Sequence, residues 1–279
     1  MKKLIPHFLL AAMFLAGSSL KAHISYSAGT TRDLGTFSVT GLESAVTKSN
    51  TVSGNFGWSS GTDANLGDTH KLRGLRFTLL NTGLVTIKVE GLAVGSVTAL
   101  SNPGFSLYKG LAHVAPAQLD HDTSDISAAY NDATYGADNW QGSFNALGDW
   151  KIGNDYDGLT LASLSSFTYI GNAADGTSAL FGTAPGINGD GNEDGTVSRS
   201  FVLSAGDYSI FVGGAEYFGS SNTGTGVVSG SSFAFNTTLS VAVIPEPSTY
   251  ALFALGAMVL IAAYRRRGAG WSHRAVQFQ

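Results

Sequence analysis

At 279 residues the chain could hold one large β-sandwich or two small domains, and a charged fraction of 13% with 36 glycines excludes a helical bundle and a charge-driven disordered chain. There is no cysteine, which excludes disulfides, thiolate catalysis and Cys-ligated zinc. Net charge is -4, but between residues 23 and 244 nine Lys and Arg stand against nineteen Asp and Glu, so the body is acidic and neither nucleic acid nor an anionic membrane surface is an expected partner.

Residues 1–22 read as a cleavable signal peptide. Lys2 and Lys3 precede an apolar run from Leu4 to Ala16, and small residues follow up to Ala22. The run is too short for a comfortable membrane span. Cleavage after Ala22 would make His23 the first residue of the mature chain. An N-terminal histidine can chelate copper through its amine and ring nitrogen, with His70, His113 or His121 as a second ligand.

The body, residues 23–243, is about 220 residues of short strand signals separated by Gly, Ser, Asn and Asp. Gly57-Trp58-Ser59-Ser60-Gly61 fits the letters of a nucleophile elbow, but its flanks are loop-like where strand and helix are required. Leu75, Phe77 and Leu79 alternate with polar residues, as do Val85, Ile87 and Val89, and Asn81-Thr82-Gly83 between them predicts a hairpin turn. Phe105 and Leu107 mark another strand. Residues 119–158 are Asp-rich and poor in alternation, which predicts a long loop or an insertion. Its carboxylates (Asp120, Asp122, Asp125, Asp132, Asp138, Asp149, Asp155 and Asp157) could bind cations or supply a glycosidase pair, although the spacing selects no pair. Trp58, Trp140 and Trp150 with Tyr130, Tyr135 and Tyr156 could stack against sugars or fill a core.

Asp190, Asn192 and Asp194 place oxygen ligands at alternate positions, with Gly195 at the sixth, as in the first half of a calcium loop. The twelfth position is Phe201, so calcium would need a ligand from elsewhere; the alternative is a polar turn. No other cofactor is expected. Tyr208, Ile210 and Val212 form a further strand, and Phe233, Phe235, Leu239, Val241 and Val243 the clearest one. Gly206-Asp207-Tyr208 leading to Gly213-Gly214, with Phe105-Ser106-Leu107-Tyr108 upstream, resembles the pre-peptidase C-terminal type of sandwich domain. The expected class is all-β: an antiparallel β-sandwich or jelly roll.

Residues 244–267 carry a different signal. Ile244-Pro245-Glu246-Pro247 is followed by an uncharged stretch, 248–264, that would form a helix of about 25 Å, and then by Arg265, Arg266 and Arg267. The prolines hold Glu246 extended, and the arginines favour the cytoplasmic side, with residues 268–279 as a cytoplasmic tail. Triplet, helix and arginines together resemble the PEP-CTERM sorting signal. That resemblance implies a Gram-negative bacterium that makes exopolysaccharide, and an exosortase that reads Pro245, Glu246 and Pro247. The helix would be a transient transmembrane anchor, with Arg265, Arg266 and Arg267 as its cytoplasmic basic anchor. The expected protein is therefore noncatalytic and exported, destined for the cell surface or the exopolysaccharide matrix, with carbohydrate as a candidate ligand. The alternative is a secreted polysaccharide-active enzyme using acidic loop residues.

Overall fold

Alternation of period two becomes, in the computed structural model, a set of strands that seal their apolar sides between two sheets. The structure describes residues 23–24, 26, 31–40, 43–59, 66–112, 120–121, 143–152, 165–181, 186–215, 232–244 and 247–269. The strands are β1 (His23–Ile24), β2 (Asp33–Phe37), β3 (Ser44–Val52), β4 (Leu66–Asp68), β5 (Arg73–Leu79), β6 (Gly83–Gly91), β7 (Thr98–Ala99) and β8 (Pro103–Lys109). They continue as β9 (Asp120–His121), β10 (Ser143–Asn145), β11 (Trp150–Ile152), β12 (Ser165–Ala174), β13 (Thr196–Leu203), β14 (Gly206–Gly214) and β15 (Phe233–Ala242), and helix α1 (Pro247–Ala269) follows.

One sheet has six strands in the order β11-β12-β8-β14-β5-β2, the other the order β13-β6-β15-β3 with β7 beside β15. The long pairings are antiparallel; β2 on β5 and β7 on β15 are parallel. Two short pairs, β1 with β9 and β4 with β10, stand apart from the main sheets. The body is an all-β sandwich, as expected.

Leu75, Phe77 and Leu79 from the six-stranded sheet meet Val85, Ile87 and Val89 from the other in one core, all at most 1% exposed. Each such side chain contributes about 1.5–3 kcal/mol through burial. Asn81-Thr82-Gly83 does not close a hairpin, because β5 and β6 belong to opposite sheets. The turn instead carries the chain across the sandwich. Inward alternation is the same for a hairpin and for such a crossing; a contact distant in sequence decides it. The Asn81 amide receives the Val39 N–H at 2.8 Å and donates to the Val39 carbonyl at 2.8 Å, fixing the turn to the chain just after β2.

The six-stranded sheet is also covered on its other face over β12, β8 and β14. Tyr108, Phe167 and Phe211 point away from the main core and pack with Trp58, Phe144 and Trp150 in a second cluster. Trp150 stacks on Phe167 at 5.1 Å and meets Phe144 edge-on at 5.2 Å. Arrangements of this kind add about 0.5–1.5 kcal/mol per pair beyond area burial. Polar atoms inside the cluster are largely matched: the Trp58 indole donates to Ser106 Oγ at 2.8 Å, and that hydroxyl donates to the Ala146 carbonyl at 2.6 Å. Within the Asp-rich region the structure thus places β10 and β11, whose aromatics form part of this second core.

Candidate functional site

The sorting segment begins where the sandwich ends. β15 lies between β3 and β6 and is paired with both along most of its length, so the last strand of the body is fully fixed. Val243 and Ile244, just beyond it, are exposed. Every strand among the described residues ends at or before Ala242, so loss of the following segment would take nothing from either sheet.

Pro247 opens α1, a position where its fixed φ and missing N–H cost nothing. The helix includes all of 248–264 and continues through Arg265, Arg266 and Arg267, since arginine is a good helix former and a cation favours the C-terminal end of the dipole. Its apolar residues are spread around the axis rather than gathered on one face. Phe253, Leu260, Ile261 and Tyr264 are all more than half exposed, so at these described positions the helix is not packed against the body. Among the described residues no helix is long and apolar enough to cross a membrane. Pro245 and Glu246 lie outside the described residues.

The calcium-like segment folds as a turn whose carboxylates serve backbone donors. Asp190 Oδ1 accepts the N–H groups of Gly176 at 3.2 Å and Asn192 at 3.1 Å, and Asp194 Oδ1 accepts that of Thr196 at 3.0 Å. Gly195 sits at a φ of 76°, in the left-handed region. Asp175, which the sequence pattern did not single out, lies beneath them at 1% exposure and accepts the N–H groups of Asp194 and Gly195, each at 3.0 Å. Burial pushes its carboxyl up to about 6, the two N–H donors oppose that, and the charges of Asp190 and Asp194 add to it. Among the described residues no group of three or more His, Cys, Asp or Glu is placed to hold a metal ion.

The other candidates separate. Trp58 and Trp150 are fully buried and cannot stack on a sugar; Trp140, Tyr130, Tyr135 and Tyr156 lie outside the described residues. Aromatic residues are the natural filler of a second core, and only the three-dimensional arrangement reveals which face they occupy. Ser59 is buried, its Oγ has no hydrogen-bond partner among the described residues, and the residue pairs with Ala215 through an isolated bridge. Of the acidic loop residues, Asp149 accepts the Tyr169 N–H at 2.7 Å through Oδ1. Asp120 is a β9 residue, and the remaining six lie outside the described residues. β1 and β9 set His23 directly opposite His121 in register.

Residues 243–267 match the PEP-CTERM protein-sorting motif. No curated protein sequence matches the chain. Among solved structures, CorA, a surface-associated copper-binding protein of Methylomicrobium album BG8, aligns at 17% identity and a TM-score of 0.43 over 71% of this chain and 93% of its own. MopE, a secreted protein of Methylococcus capsulatus in which an oxidized tryptophan facilitates copper binding, aligns at 16% identity and a TM-score of 0.42 over 81% and 93%. Scores this low assign neither a ligand nor a site.

Proposed function

We propose that this chain, which carries the PEP-CTERM motif of exported, exosortase-processed proteins, is a noncatalytic component of the cell surface or exopolysaccharide matrix. The observation that supports it most is the division at Ala242: every strand among the described residues ends by that point, and an exposed apolar stretch of helix followed by arginines lies downstream. On this reading the signal peptide brings the body through the inner membrane, and α1 holds it there with the arginines on the cytoplasmic side. The short uncharged stretch suits a transient anchor, since snorkelling arginines or local thinning would be needed to hold it. Exosortase then reads Pro245, Glu246 and Pro247.

Replacing Glu246 with Ala in cells with an active exosortase tests the sorting. The expected result is retention of a larger, unprocessed chain in the membrane fraction; unchanged size and location would count against it. A pull-down on the host's own polysaccharide, followed by a product assay, tests the role of the body. Binding without new reducing ends is expected, whereas turnover lost on Asp substitution would favour the enzyme reading.

A second reading attaches to the register of His23 against His121. Cleavage after Ala22 would give His23 a free amine beside its ring, and His121 would add a second imidazole, a nitrogen set suited to copper(II). N-terminal sequencing of the secreted protein decides whether it stands. A mature chain beginning anywhere but His23, or one that takes up no copper(II), ends this reading.

A further inference from the structure

Although the body is acidic, two of its arginines come together on the open flank where both sheets end. β2 is the last strand of one sheet and β3 the last of the other. Between them lies a cleft of about 350 Å³, lined on its polar side by Arg32, Ser49, Asn50 and Arg73 and on its apolar side by Val94 and Val97. That is the lower end of the range for small-ligand sites.

Arg73 is held in place rather than left to sweep through solvent. Its Nε donates to the Thr51 carbonyl at 2.9 Å and its Nη2 donates to the same oxygen, which ties β5 to β3 across the gap between sheets. Asn50 closes the same gap by donating to the Thr31 carbonyl at 2.9 Å. A guanidinium offers five N–H donors, and one carbonyl uses only two of Arg73's. Three other body cations have acidic partners: Lys71 with Asp68 at 3.0 Å, Arg76 with Asp33 at 2.6 Å and Lys88 with Glu90 at 3.2 Å. Among the described residues Arg73 pairs with no carboxylate, and none lines the cleft.

Burial and the neighbouring Arg32 charge lower Arg73 to about 10, and burial lowers Arg32 as well. Both remain cations at neutral pH, and each disfavours the other. A bound anion would relieve that repulsion and use the spare donors of Arg73, with the paired geometry that guanidinium and carboxylate share. Phosphate or sulfate would satisfy the charge alone. The Ser49 hydroxyl is taken by Asn236 Oδ1 at 2.7 Å, but the second N–H and the oxygen of the Asn50 amide, with the two valines, call for a ligand that also carries hydroxyls and an apolar C–H face.

We propose that this cleft binds a carboxylate-bearing sugar, a uronate unit, with Arg32 and Arg73 on the carboxylate, the Asn50 amide on a ring hydroxyl, and Val94 and Val97 against the C–H face. It deepens the polysaccharide reading of the body and rests on it for the source of the sugar.

Titration calorimetry on the full-length exported protein with galacturonate, galactose and inorganic sulfate tests the site. Galacturonate should bind at least about tenfold more tightly than either of the others, and more weakly as salt rises. Arg32→Gln and Arg73→Lys should each lose about tenfold or more in galacturonate affinity while remaining folded by circular dichroism. Arg32→Gln leaves the Thr51 tie intact, so it speaks for the site even if Arg73→Lys unfolds. Galactose or sulfate binding as tightly as galacturonate overturns the proposal, as does full affinity in a folded Arg32→Gln variant. Repeating the polysaccharide pull-down with Arg32→Gln separates the two readings. Undiminished capture would put matrix binding elsewhere on the body and contradict this cleft; galacturonate binding without polysaccharide capture would keep the cleft and remove the matrix role.

Discussion

The sandwich and the segment after it treat apolar side chains in opposite ways. Phe77, Ile87 and Phe235 are sealed between sheets, and Trp58 and Phe211 beneath the outer layer, whereas Phe253, Leu260 and Ile261 of α1 stand in the open. A folded body needs no help to satisfy its apolar surface; an exposed apolar helix needs a partner. The two parts should therefore respond independently to change, the body through its melting temperature and the tail through its location.

The largest effect expected on the body comes from Trp58. Its ring lies over Gly104, where a Cβ would come within 2.5 Å of a ring carbon, and its Cβ lies beside Gly213, where one would come within 3.3 Å. Trp58→Ala should destabilise the body by about 3–5 kcal/mol in denaturant titration. Gly104→Ala, which forces ring and strand apart, should cost about 1–3 kcal/mol. A loss under 0.5 kcal/mol for Trp58→Ala would mean that the second cluster is not a true core.

Thr237 offers a change of the opposite sign. It takes an inward place on β15 with no exposure, and its Oγ1 has no hydrogen-bond partner among the described residues. Thr237→Val exchanges a desolvated hydroxyl for a methyl of similar size and should stabilise by about 1 kcal/mol. Destabilisation would reveal a partner for the hydroxyl.

Asp175 predicts a smaller, pH-dependent difference. With its native pKa raised to about 6, above the 3.8 of an ordinary aspartate, the folded state keeps a proton that the unfolded chain has lost. Its contribution to stability is present below that window and is lost as pH rises through it. Asp175→Asn, which stays neutral, should gain melting temperature relative to wild type between about pH 4 and pH 6; a constant difference would contradict this. The smallest effect is expected at the boundary itself. Ending the chain at Ile244 should change the stability of the sandwich by less than about 0.5 kcal/mol, the range for changes away from packed features.

What could be read from the chain follows the same division. Pro245-Glu246-Pro247, the helix and the arginines are contiguous, so their order alone carries the signal. Alternation located β5, β6 and β15 because one face of each is buried and the other is more open. It failed for the turn at Asn81-Thr82-Gly83, where Val39 decides, and for Trp58 and Trp150, whose burial depends on strands far away in sequence. β8 and β14, buried on both faces, show little alternation across Phe105–Tyr108 and Tyr208–Val212. Tyr108 and Phe211, aromatic at positions where alternation calls for a polar residue, were the available hint of a second core. The arginine cleft left no local trace, because Arg32, Ser49, Asn50 and Arg73 converge only when the two sheet edges meet.

Intact-mass measurement of the protein recovered from the surface of exosortase-competent cells is the most direct test of sorting. A chain beginning at His23 and lighter than the sum of residues 23–279, with the loss at its C-terminal end, is the predicted result. A mass equal to residues 23–279, or to the whole chain, would contradict it.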